Sequence, residues 1–250
     1  MRLKFLRHVA CLCAMACTVD FVHAQSTSDE KELGIIQLVE QAIVKQTNEF
    51  RQKNGLEVVA RDESLSVAAA DFASFMARTD KYGHHADGRS PAQRAKAAGY
   101  EYCVIRENIA YRTNTGQVTE DGLIEAFVQG WIDSPPHREN MLAEYATQTG
   151  VAVATEDDKT YYAVQLFGRP KSAAIDLRIR NDSGDTQVVH VKSDDSVDEF
   201  ELPSRSVVKI RRCFPTMLTL DGAADESREL HFKESAELVI DQKGLHGVAK

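Results

Sequence analysis

Apolar positions recur along this 250-residue chain with two different periods, and the change from one to the other divides it. After a polar lead of Ser, Thr and Asp, the residues Leu33, Ile36, Val39, Ile43 and Phe50 fall on one helical face, which predicts an amphipathic helix over 33–50. Leu65, Ala68, Ala69, Phe72, Phe75 and Met76 repeat the pattern over 64–78, with Asp62 or Ser64 available as the cap and an Ala-rich face suited to packing on a sheet. Ser90-Pro91-Ala92-Gln93 reads as an N-cap, a proline at the first helical position and a capping-box Gln. A short helix over 91–98 is expected, stopped at Gly99. Leu123, Ile124, Phe127, Val128 and Trp131 make a further stripe over 119–131, which Ser134-Pro135-Pro136 ends. Trp131 at this spacing is a core residue.

Between these helices the period shifts to two, in 104–111, 149–154 and 161–167. The last two segments are expected to form a hairpin around Glu156-Asp157-Asp158-Lys159. Helices around a few mostly antiparallel strands predict an α+β domain, with the sheet covered on both sides. From Ser172 onward helical spacing disappears. Seven short runs, 175–180, 186–191, 199–202, 207–211, 217–220, 230–232 and 236–240, are separated by Asp, Gly, Ser and Pro and predict a compact β-sandwich without a catalytic motif. The expected organisation is a leader at 1–24, an α+β domain at 31–169 and a β-rich domain at 173–250.

The leader rests on Arg2, Lys4 and Arg7, an apolar stretch from Val9 to Val19, and small residues at Val22-His23-Ala24, which together read as a secretory signal peptide. That stretch is shorter than the roughly 20 apolar residues a membrane span needs, and no later segment approaches this length. Cys17 follows Ala14-Met15-Ala16, so acylation there is weighed as well, but the usual Leu is missing and a better cleavage site lies downstream, so a secreted or periplasmic product is preferred. Cleavage removes three positive charges and one negative and takes the formal charge from -8 to -10, which argues against a nucleic-acid partner. It also removes Cys11, Cys13 and Cys17. Cys103 and Cys213 remain, as one disulfide between the two domains or as two buried thiols.

Four signatures then occur in order: KYGHHADGRSPAQRAKAAGY from Lys81, RENIAY from Arg106, GWIDSPPHRENML from Gly130, and TGVAVA followed by YYAVQLFG. Taken together they resemble the CAP superfamily (cysteine-rich secretory, antigen 5 and pathogenesis-related proteins) in its bacterial SCP-like form. The resemblance implies a three-layer α-β-α sandwich, an extracytoplasmic location, and a cleft lined by His and Glu that holds a divalent metal in several relatives. It assigns the cleft histidines to His84 and His137 and the carboxylate to Glu107, with His85 as a substitute candidate for His84. Where the eukaryotic pattern has a second Glu, this chain has Ser134, with Asp133 beside it, so the full tetrad is absent.

Two neutral imidazoles suit Zn²⁺, Cu²⁺ or Ni²⁺ better than calcium or magnesium, and a nearby Glu can ligate or orient. With only two protein ligands such a site would be weak and exchangeable. Asn108 is expected to hold a turn, Arg138 and Asn140 to tie the loop after Pro136 back to the domain, and Tyr82 and Tyr111 to pack at the core or rim or to line the cleft. Ser134 near His137, or Ser90, invites a Ser-His reading, but there is no G-x-S-x-G elbow, no HExxH and no phosphate loop. The preferred reading is a non-enzymatic binding module whose cleft (His84, Glu107, His137, Asn108, Ser134) takes a divalent cation such as zinc, a small molecule, a lipid or an envelope or extracellular protein. The alternatives are a metal-assisted hydrolase with Glu107 as general base and a structural envelope protein with an idle cleft.

Overall fold

The computed structural model describes residues 18–193, 196–221 and 229–248, with side chains from Gly34 onward. Cys11, Cys13, Cys17 and the charged start of the leader lie outside the described residues; the leader's last residues are described only as backbone of the first helix. That helix, α1 (Thr18–Lys53), buries Val39 and Ile43 completely. α2 (Glu63–Thr79) begins where Asp62 accepts a hydrogen bond from the Leu65 amide. α3 (Pro91–Ala97) carries the expected capping box between Ser90 and Gln93.

The stripe over 119–131 folds as helix in three pieces, α4 (Glu120–Ile124), a π-helical turn (Glu125–Gln129) and α5 (Gly130–Asp133). One wide turn leaves the buried set of Leu123, Ile124, Phe127, Val128 and Trp131 unchanged, so the apolar spacing does not betray it. α6 (Pro135–Met141) follows directly.

These helices enclose a sheet of order β1-β3-β4-β2, made of β1 (Ala60–Arg61), β2 (Tyr102–Thr113), β3 (Gln148–Ala154) and β4 (Thr160–Pro170). β3 and β4 form the expected hairpin, and Asp157 closes its turn by accepting from the Lys159 and Thr160 amides. Successive β4 residues serve opposite layers, as strand geometry requires. Tyr161, Ala163 and Phe167 join the core under α1 and α4–α6, while Tyr162, Val164 and Leu166 join the core under α2 and α3. Gly150 lets α2 lie directly on β3, because a Cβ there would overlap the backbone of Leu65 and Ser66. The chain is thus α+β in three layers.

After a 3₁₀ turn (Lys171–Ala173) only strands follow: β5 (Ile175–Asn181), β6 (Gln187–Ser193), β7 (Ser196–Leu202), β8 (Val207–Arg212), β9 (Thr216–Leu220), β10 (Leu230–Phe232), β11 (Ala236–Asp241) and β12 (Gly244–Gly247). Two four-stranded sheets, β10-β9-β6-β7 and β12-β11-β5-β8, pack through one apolar cluster that includes Ile179, Val191, Leu218 and Ile240. The described residues hold eight strands here rather than seven. The addition is β12, which the glycines of Gly-Leu-His-Gly concealed.

Candidate functional site

β2 is an edge strand, and its carbonyls on the unpaired side need donors from elsewhere. Side chains supply them. Asn140 Nδ2 donates to the Glu107 carbonyl at 3.1 Å, while Tyr82 Oη and Trp131 Nε1 both donate to the Ile109 carbonyl, at 3.1 and 3.3 Å. Two loops are thereby drawn to the same edge: residues 80–90, which carry His84, and the α5–α6 corner, which carries His137.

On the first side, Glu107 is buried and accepts from both sides of its carboxylate. Arg94 Nη2 donates to its two oxygens at 2.9 and 2.7 Å, and His84 Nδ1 lies 2.8 Å from Oε1. A carboxylate ion-paired with a guanidinium can only accept, so His84 donates from Nδ1 and its Nε2 faces away from Glu107. Arg94 does more than neutralise Glu107. Its guanidinium also donates to the carbonyls of His84 (3.0 Å) and Arg89 (2.9 Å) and to Asp87 (2.8 Å), and it lies 3.5 Å from the Phe72 ring centroid. Burial works to raise the Asp87 carboxyl, but the Arg89 amide, the Arg89 guanidinium and Arg94 together hold it below its ordinary value. The loop turns back at Gly88, whose φ of +79° favours glycine.

On the second side, Ser134 begins α6 and its Oγ lies 3.0 Å from His137 Nδ1. Asn108 Nδ2 donates to the His137 carbonyl at 3.0 Å, and Asn140 Nδ2 donates to Asn108 Oδ1 at 2.9 Å. Desolvation lowers the His137 pKa, and the nearby His84 lowers it further, so the two imidazoles lie within electrostatic reach of each other and His137 favours its neutral form.

The sequence placed His84, Glu107 and His137 together, and the structure brings all three to one edge of the sheet. His84, not His85, meets Glu107. Asn108 holds no turn: it is a buried strand residue whose amide straps the His137 corner to β2. Asn140 does tie that corner back, whereas the Arg138 side chain makes no such contact. Ser90 is occupied as the α3 cap, and the Ser134–His137 contact lies within a single helical turn. Trp131 is core, while Tyr82 and Tyr111 stay exposed at the rim. Arg94 is the functional residue that sequence reasoning missed, and the one available signal was its place beside Ala95 on the buried face of a capped helix.

Cys103 and Cys213 are bonded, with Cα atoms 5.3 Å apart. Beside them Phe214 packs edge-on against Tyr145 at 4.8 Å, and Arg106 lies over the Tyr145 ring at 5.3 Å while its Nη1 reaches Glu139 and Asn140. The β-rich part thus touches the elements that carry the site.

The fold is a helix-covered, mostly antiparallel sheet with two imidazoles and a carboxylate gathered at its edge strand. Residues 44–167 match the CAP family, described as the cysteine-rich secretory protein family, and this part of the chain belongs to it. The chain is 32% identical over 131 residues to the Bacillus subtilis "Uncharacterized protein YkwD", covering 52% of this chain and 47% of that protein. It is 27% identical over 151 residues to the "Uncharacterized membrane protein YlbC" of the same organism, covering 60% and 40%. The matches thus span less than half the length of these relatives. Among solved structures it is similar to an extracellular protein containing a SCP domain from Bacillus anthracis, with 27% identity, a TM-score of 0.44, and coverage of 54% of this chain and 41% of that one. No helix among the described residues is long and apolar enough to cross a membrane.

Proposed function

We propose that this CAP protein is an exported binding module, read as a leader at 1–24, a CAP domain at 31–169 and a β-rich domain at 173–250. Its edge cleft uses His84 and His137 to hold a divalent cation or a small ligand. The observation that carries the reading is the Arg94–Glu107–His84 chain. A buried carboxylate, neutralised from behind, holds one imidazole through Nδ1 and leaves its Nε2 as the atom turned to a ligand, which is how outer carboxylates orient ligating histidines.

Among the described residues no group of three His, Cys, Asp or Glu side chains is arranged to hold a metal. The donor set therefore fits a weak, exchangeable site with His84 and His137 as the only protein ligands, and zinc bound there would supply Lewis acidity. Glu107 orients rather than ligates, because both of its oxygens are engaged. Its burial disfavours the hydrolase alternative, since a general base must meet the water it activates and the Glu107 side chain is only 1% exposed.

Titration calorimetry with zinc tests the reading. Binding in the micromolar to millimolar range is expected, abolished in His84→Ala/His137→Ala; binding that survives the double substitution places the metal elsewhere. A peptide and ester panel run with zinc, with and without Glu107→Gln, tests the alternative, and the expected outcome is no turnover.

A further inference from the structure

Three aromatic side chains are exposed among the described residues, Tyr82, Tyr102 and Tyr111, and two of them form one ledge beside the histidines. Tyr82 and Tyr111 meet edge to face at 4.9 Å, and Tyr111 leans on Tyr162 at 5.9 Å. The Tyr82 hydroxyl donates to the Ile109 carbonyl at 3.1 Å, and Glu107, Ile109 and Tyr111 alternate along one face of β2, which sets the ledge beside the carboxylate. A rigid pair of exposed rings beside a polar cleft offers a flat contact surface at little entropic cost.

Across the β2 edge lies a depression of about 360 Å³, floored by small residues and lined by Arg112, Glu125, Gln129 and Asp133. It opens close to the same site, because Arg112 follows Tyr111 in β2 on the opposite face and Asp133 precedes Ser134, the partner of His137. Gln129 Nε2 donates to Asp133 Oδ1 at 2.9 Å, yet Arg112 and Glu125 share the depression without closing an ion pair, and neither side chain has another partner among the described residues. The lining offers planar donors and acceptors of both signs with no excess of positive charge, in a chain whose formal charge is -8. That set is poorly matched to phosphate, to nucleic acid or to an acyl chain. It is well matched to a neutral polyol, whose neighbouring hydroxyls each donate and accept. The ledge suits the same ligand, since the C–H face of a pyranose carries partial positive charge toward the negative face of an aromatic ring.

We propose that the edge of β2 is a saccharide-binding groove, with one sugar ring stacked on Tyr82–Tyr111 and the hydroxyls of another bridging Arg112, Glu125, Gln129 and Asp133. This rests on the same cleft as the binding-module reading but needs no metal. Single-ring affinity would be low, so the gain comes from two rings joined in one chain.

The test is an NMR titration of the full chain with unbranched tetrasaccharides of β-linked glucose and of β-linked N-acetylglucosamine, without metal and then with zinc. Amide shifts are expected at Tyr82, Tyr111, Arg112 and Gln129, with affinity reduced about tenfold or more in Tyr111→Ala and in Gln129→Ala and kept in Tyr111→Phe. No shift with either sugar up to about 10 mM overturns the proposal, as does binding unaffected by Tyr111→Ala and Gln129→Ala. Zinc binding without sugar binding sinks this inference alone. Sugar binding without zinc binding sustains it and removes the metal from the reading above.

Discussion

The helix-covered region and the β-rich tail are both built on alternating strands, but they differ in what they bury. The buried charged residues among those described, Arg51, Arg94 and Glu107, all lie in the first region, whereas the tail buries only the neutral polar residues Asn181, Ser193 and Thr216. Buried charge is costly unless it is fully paired, so its confinement to one region marks where the fold accepts an electrostatic cost in exchange for fixed geometry. Arg94 fixes Glu107 and the loop that carries His84. Arg51 serves the scaffold instead, because its guanidinium donates to the carbonyls of Glu57, Met141, Ala143 and Ala146 at 2.8–3.2 Å and pins the segment after α6 against the end of α1. The tail has no counterpart to either and is held by apolar packing and by one covalent link to β2.

The contrast can be broken most severely at the α2–β3 contact. Gly150→Ala puts a carbon into the Leu65–Ser66 backbone and should cost about 4 kcal/mol or more, seen as a much earlier loss of helical signal in chemical denaturation. Arg94→Met should follow, at about 3–5 kcal/mol, because it strands the buried Glu107 carboxylate and takes one partner from Asp87, which keeps Arg89. In chemical denaturation the variant should unfold earlier, and Arg94→Met/Glu107→Gln should recover part of the loss by removing one stranded charge. Equal instability in both would show that the ion pair is not what matters.

Cutting the covalent link is expected to act on coupling more than on either region. Cys103→Ser/Cys213→Ser opens a linkage spanning 110 residues and should lower stability by about 2–4 kcal/mol. One calorimetric transition should become two, since the remaining bridges, Phe214 on Tyr145 and the exposed Lys233–Glu144 pair, are few. A single undivided transition in the variant would mean that noncovalent contacts already bind the regions into one unit.

The smallest effect is the pH dependence of His137. Its folded pKa lies below the ordinary 6.5, so between the two values the unfolded chain binds more protons than the folded one. Its contribution to stability is full above about 6.5 and is lost as pH falls through the folded value. His137→Gln should flatten that acid limb in melting temperatures recorded from pH 7 to 5, whereas a substitution in the tail should leave it unchanged.

Much of this molecule is local, and local features could be read directly. The Ser90 capping box, the Asp62 cap, the alternation of β3 and β4 and seven tail strands follow from side-chain periodicity and hydrogen-bonding chemistry within a few residues. The resemblance carried by three short strings singled out His84, Glu107 and His137, which the fold brings to one edge of the sheet. The π-helical turn escaped because one wide turn scarcely alters apolar spacing, and β12 escaped because glycine carries no strand signal.

What only the tertiary structure decided concerns contacts across long separations. That Asn108 straps the His137 corner instead of holding a turn, that Cys103 meets Cys213, and that Arg94 stands behind Glu107 depend on which elements flank the free edge of β2. A sequence states which groups can form hydrogen bonds, whereas the packing of layers determines which of them lose water, and a buried donor must then take whatever acceptor the fold has brought within reach.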